Sequence, residues 1–333
     1  MQNAMSVCSD KNNYYLFITV LRTLATCLIT NTHLGSIYPK GLSFLAVGGL
    51  LGDALFFAVS GFCLVNSVNG GFFKWYGKRI LRIYPTVLII SVICCLIGEY
   101  QITSFYDFVR VFIYPTRFHF IASIMLLYIF FFFVLKLTFL KNNLPLLMSV
   151  LGVIWLAVYV FAFDKTGRLD TAEQPITKFL FFECMLFGAY VAINKDKFIN
   201  NKSVLYRVGF FLSIVLYLAT KITVDRLGLN NWQFLIIITV FLVSVSSLTA
   251  FSGLEELISK HNTIRKTVSF IAPLTLEIYV VQHLIISRIK DISVLVFPLN
   301  FISVIALILF CAILLNRIVK YILKPIMRMI KSA

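Results

Sequence analysis

Residues 14–33 read YYLFITVLRTLATCLITNTH. Twenty residues rising 1.5 Å each cover the roughly 30 Å hydrocarbon core of a bilayer. The stretch therefore reads as a membrane helix with Arg22 inside it and His33 at its end. Eleven steps of about 100° make about three turns, so both side chains lie on one face, about 16 Å apart along the axis. An arginine inside a membrane helix costs at least about 2.5 kcal/mol, even on insertion scales. Either the chain uses the pair, or Arg22 snorkels to the interface and His33 is an ordinary wetted residue. The pair alone leaves both readings open.

Composition settles the class. Hydrophobic residues make up 60% of the 333 and charged residues 13%, with 33 Phe and 15 Tyr; mean hydropathy is +0.92. Soluble domains run at roughly 45–50% apolar and about 25% charged. The aromatic excess suits lipid-facing and interfacial surfaces. All seven cysteines except Cys8 fall inside apolar runs, with no CxxC or zinc-type spacing, so they read as small hydrophobes rather than a disulfide frame or a metal site. The first apolar run carries Arg22 and no small-residue cleavage site follows it, so it reads as the first transmembrane helix and not as a signal peptide.

Apolar runs of about 20 residues recur over roughly 14–33, 43–67, 84–99, 119–140, 144–163, 177–194, 204–222, 232–251, 268–287 and 294–316. This predicts an all-α, polytopic bundle of about ten transmembrane helices in a single domain over 1–333. With the N-terminus cytoplasmic, one side holds Lys11, Lys74, Lys78, Arg79, Arg82, Lys136, Lys141, Lys195, Lys197, Lys202, Arg207, Lys260, Arg265, Lys266, Arg317, Lys320, Lys324, Arg328 and Lys331. Ten basic residues, Lys290 among them, fall on the other side. The bias places both termini in the cytoplasm. It also accounts for the net charge of +16 without nucleic acid, since basic loops facing anionic headgroups suffice. In the tail, 317–333, basic residues recur every three or four positions among Ile, Leu and Met, which predicts an interfacial amphipathic helix entered or kinked at Pro325.

The segment 72–85, FFKWYGKRILRIYP, packs Lys74, Lys78, Arg79 and Arg82 into nine residues. Arg79 and Arg82 share a helix face, and two guanidinium forks on one face suit bidentate phosphate binding. A plain positive-inside anchor is the alternative. A helix beginning at Tyr84-Pro85 would tolerate the proline in its first turn. The segment 52–62, GDALFFAVSGF, puts Asp53, Ser60 and Gly61 into an apolar run, which suggests close helix contact and a polar spot facing the interior. Asp53 is a candidate partner for Arg22 or His33. Ser60 lacks a GxSxG elbow and reads as packing.

These pieces together resemble the membrane acyltransferase 3 family: Arg22 and His33 separated by ten residues, GDALFFAVSGF at 52–62, and KRILRIYP at 78–85. A looser match, LTLEIYVVQH at 274–283, places His283 four residues after Tyr279 where the family has three. The resemblance implies transfer of an acyl group, often acetyl, from acyl-CoA to a hydroxyl of a cell-surface or lipid-linked glycan at the cell membrane. No cofactor is expected to stay bound, since acetyl-CoA or another acyl-CoA is a donor substrate. On this reading Lys78, Arg79, Arg82 and the deeper Arg22 receive the donor's phosphates. His33 acts as general base or carries the acyl group, its ordinary pKa near 6.5 suiting either task. Asp53 or Glu277 orients the imidazole, and Ser60 and Tyr84 serve substrate contact or packing. Glu277, about ten residues into its predicted helix, needs a partner or a proton there, as does Glu183.

A lipid-linked glycan flippase would show paired repeats or broken midplane helices, and a glycan polymerase a long external loop; the sequence has neither. His119 at the start of the fourth span and His261 in a charged loop receive no role. Glu255-Glu256 reads as a wet loop surface, because adjacent helical residues do not face each other. Acceptor sugar, acyl length and oligomeric state are left open.

Overall fold

The computed structural model describes residues 15–171, 173–289 and 296–332, with side chains to 324. Cys8, Lys11 and Lys290 lie outside these residues, as do the side chains of Arg328 and Lys331. The described chain is helical and holds no strand: α1 (Leu16–His33), α2 (Gly49–Leu64), α3 (Phe72–Leu96), α4 (Phe105–Phe108), α5 (His119–Lys136), α6 (Thr138–Asn142), α7 (Leu144–Phe161), α8 (Thr177–Ile193), α9 (Lys195–Phe198), α10 (Val204–Leu227), α11 (Phe234–Ser252), α12 (Glu255–Lys260), α13 (Asn262–Ile271), α14 (Thr275–Ile289) and α15 (Leu299–Ser332). Eight spans among the described residues are long and apolar enough to cross a membrane, which makes this a multi-pass membrane protein. The two remaining expected spans are α1, which carries Arg22, and α8, which has 17 residues.

Three boundaries differ from expectation for physical reasons. The basic segment 72–85 does not precede a helix; it is the first half of the 25-residue α3, with Pro85 in the interior. A bilayer gives an unwound backbone no water to bond, so the helix continues through the proline. The span expected over 268–287 is interrupted at Ala272–Leu274, around Pro273, and restarts at Thr275. Glu277 is therefore in the first turn of α14 rather than deep within a helix. There the partial positive charge of the helix N-terminus favours a carboxylate. The basic tail continues α15 without a break through Pro325.

The chain clusters into two compact units. Of the described residues, those within 1–25, 50–75 and 123–272 form the first, and those within 26–49, 76–122 and 273–333 the second. In the first, Leu16, Phe17, Leu21, Val59, Phe62, Val191, Phe198 and Leu248 build a buried core. Helices α2 and α8 cross with almost no separation. A Cβ at Gly61 would overlap the Met185 carbonyl oxygen, and one at Gly188 the Ala58 carbonyl oxygen. Phe57 and Phe181 stack beside this crossing, 4.7 Å between centroids. Small residues that let backbones touch are how membrane helices gain dispersion contact in the absence of a hydrophobic drive. Helices α10 and α11 pack together. On its other side α10 exposes Val204, Leu205, Val208, Phe211, Leu212 and Val215, an apolar stripe of helical period suited to lipid.

The loop before α8 is fixed by polar contacts. The Leu169 N–H donates to Gln233 Oε1 (2.7 Å), and Gln233 Nε2 donates to the Gly167 carbonyl (3.1 Å). Asp170 accepts from Arg168 Nε (3.0 Å) and Lys221 Nζ (2.6 Å), and both cations also reach Asp225. Burial acts to raise the Asp170 pKa, but Arg168 and Lys221 outweigh it and hold the carboxyl below its usual range.

In the second unit α14 packs on α15. Thr30 Oγ1 donates to Gln282 Oε1 at 2.8 Å, and the Phe120 N–H donates to the Tyr279 hydroxyl at 3.3 Å. Arg288 pairs with Glu99 at 3.1 Å.

Candidate active site

Arg22 and His33 both lie on α1, His33 as its last residue. They are not isolated polar positions. Thr19, Arg22, Thr26, Thr30 and His33 follow one another at spacings of 3, 4, 4 and 3, which keeps all five within an arc of about 80° on an ideal helix. That polar stripe is legible in the sequence once the threonines are counted. Arg22 is half-buried and its Nη2 donates to Cys63 Sγ (3.6 Å). Cys63 is disulfide-bonded, contrary to the reading of all the cysteines as free hydrophobes; Cys27, Cys94, Cys95, Cys184 and Cys311 are free. Placement within an apolar run does not reveal a cross-link, which depends on spatial approach.

The start of α1 is held from a distance of 239 residues. Glu255 Oε1 accepts from the Leu16 N–H (2.8 Å) and Oε2 from the Phe17 N–H (2.7 Å). A carboxylate on two free amides at a helix N-terminus satisfies orphan donors and complements the helix dipole. Glu255 is thus an anchor, not the wet surface group expected from its doublet with Glu256, although Glu256 itself is exposed.

In the second unit the other end of α1 meets α14. His33 and His283 are both solvent-exposed and stand within electrostatic reach of each other, next to the Thr30–Gln282 hydrogen bond. His283, four residues after Tyr279 where the family has three, thus acts electrostatically on His33. Glu277 is 5% exposed. Its Oε1 accepts from Asn316 Nδ2 at 2.8 Å, its Oε2 has no hydrogen-bond partner among the described residues, and Arg82 and Lys320 act on it electrostatically. The hydrogen bond found for Glu277 thus runs to α15 and not to an imidazole. On α3, Arg79 and Arg82 are one turn apart as expected; Lys78 and Arg82 are exposed, Arg79 and Tyr84 half-buried.

In the first unit Asp53, 7% exposed, lies in the second turn of α2, and its Oδ1 has no hydrogen-bond partner among the described residues. Ser60 is buried beside Gly61 at the crossing of α2 and α8. Glu183 of α8 faces Gly152 of α7, its Oε1 3.5 Å from where a Cβ would stand. His119 opens α5, and His261 is exposed between α12 and α13.

Chemically, α1 carries a half-buried arginine on its polar face and an imidazole at its end, and α3 carries a cation cluster of its own. A family profile described as an acyltransferase domain matches residues 15–317. The chain belongs to the membrane acyltransferase 3 family. No curated protein and no solved structure with which the chain was compared matches it.

Proposed function

We propose that this membrane acyltransferase is an O-acyltransferase of the cell membrane, taking acetyl or another acyl group from cytoplasmic acyl-CoA. The acceptor is a hydroxyl of a cell-surface or lipid-linked glycan. On this reading α1 and α8 also cross the bilayer, giving ten spans with both termini cytoplasmic, as the basic loops favour. Lys78, Arg79 and Arg82 receive the donor's phosphates, with Arg22 further along, because guanidinium forks match phosphate oxygens two at a time. His33 removes the proton from the acceptor hydroxyl as its oxygen attacks the thioester carbonyl. The thiolate of coenzyme A then leaves. An alternative order has the imidazole accept the acyl group first and pass it on.

The observation that carries the reading is the α1 face that keeps Arg22 and His33 about 16 Å apart on one helix of a family acyltransferase. That length suits an extended pantetheine arm, so a donor held from one side can serve an acceptor on the other. Mass spectrometry of surface glycan from cells with and without the gene tests it. One acyl mass per modified sugar, lost with the gene, supports the reading; identical glycans overturn it.

A further inference from the structure

At one end of the first unit, where α10 begins and α12 lies against it, a cavity of about 230 Å³ opens to the surface. Lys202, Arg207, Lys260, Tyr206, Glu256 and Leu257 contribute to its lining. Three cations therefore face one carboxylate. Glu256 is already engaged, by Lys260 at 2.9 Å and Lys202 at 3.7 Å. Hydrogen bonding and attraction from these lysines hold it below the usual carboxylate range, so it stays ionised and the lining keeps an excess positive charge. Arg207 Nη2 rests on the Lys202 carbonyl at 3.1 Å, which fixes its guanidinium beside the cavity.

Apolar neighbours decide what kind of anion fits. Val204, Leu205 and Val208 on α10 and Leu257 on α12 are exposed. They continue into the lipid-facing stripe of α10, a helix long and apolar enough to span the bilayer. A cation-lined recess at the first turn of such a helix stands at headgroup level. We propose that this cavity binds the phosphodiester headgroup of an anionic membrane lipid, its acyl chains lying along the exposed face of α10. The site is separate from the acyl-transfer groups and does not depend on the reading of the reaction. It bears on α1 through one neighbour, since Glu256 lines the cavity while Glu255 holds the α1 N-terminus.

The test uses the full chain purified in detergent, with thermal unfolding and native mass spectrometry against phosphatidylglycerol and phosphatidylcholine. Phosphatidylglycerol should be retained and should raise the midpoint, as any ligand of the folded state does, while phosphatidylcholine does neither. Each cation near an anionic surface is worth roughly a fivefold gain in affinity, so Lys202→Gln with Arg207→Gln should weaken retention about 25-fold. Lys195→Gln with Lys197→Gln, an equal charge loss on α9 outside the cavity, should change it less than the cavity pair does. Equal losses in the two pairs, or equal retention of the two lipids, overturn the proposal. Glycerol 3-phosphate alone giving the same protection identifies a soluble phosphate and overturns the lipid assignment. The two-lipid comparison on the unaltered chain decides the matter even where the cavity variant fails to fold.

Discussion

Asp170 and Asp53 belong to the same unit and are both nearly closed off from solvent, yet the chain treats them in opposite ways. Asp170, with a side chain 11% exposed, receives Arg168 and Lys221, and Asp225 shares both cations. Asp53 keeps an oxygen with no hydrogen-bond partner among the described residues. A buried carboxylate that is fully paired works as scaffold, because its desolvation is offset locally. One left incompletely bonded costs free energy at every moment the protein is folded, which makes Asp53 the carboxyl whose part in the proposed acyl transfer is worth testing.

The largest effect expected in this unit comes from breaking the crossing on which the Asp53 helix rests. Gly61→Ala drives a methyl into the Met185 carbonyl and should cost about 3 kcal/mol, the upper end for overpacking, since backbone cannot turn aside as a side chain can. Loss of monodisperse protein in detergent would show it; normal yield and unfolding midpoint would mean that α2 and α8 sit further apart than described. Lys221→Met comes next. It leaves Asp170 with Arg168 alone and should cost roughly 2 kcal/mol, less than breaking a wholly buried pair because one cation remains. The same cluster predicts a pH response. The folded Asp170 carboxyl titrates below its unfolded value, so its stabilisation is present above the ordinary aspartate range near pH 4 and is lost as pH falls through the lower, folded value. Unfolding midpoints should drop on acidification, and Asp170→Asn should flatten part of that drop. The smallest stability change is expected for Asp53→Asn, within about 1 kcal/mol, since the amide has nearly the shape of the carboxyl it replaces. Acyl transfer should nevertheless fall in that variant. A large destabilisation with activity per folded molecule intact would instead make Asp53 scaffold like Asp170.

How far the sequence could be read follows the same division. Runs of apolar residues report burial in lipid directly, so the helices of the bundle were legible, and the three motifs around Arg22, Gly52–Phe62 and Lys78–Pro85 carried the family. Helix ends were harder. Nothing in KRILRIYP announces that α3 runs through Pro85, because the bilayer, not local propensity, keeps that helix intact. Nor does the span around Pro273 reveal that Glu277 opens a new helix, where its carboxylate is tolerated. Pairings distant in sequence were out of reach: Glu255 on Leu16 and Phe17, Asn316 on Glu277, and His283 acting on His33 all join residues far apart along the chain. The threonines that complete the polar face of α1 were readable at helical spacing.

The most direct measurement is label transfer from radiolabelled acetyl-CoA to membrane glycan by the full chain and by His33→Ala, each checked for equal membrane insertion. Transfer is expected from the first and none above background from the second. Undiminished transfer by the alanine variant would remove His33 from the chemistry.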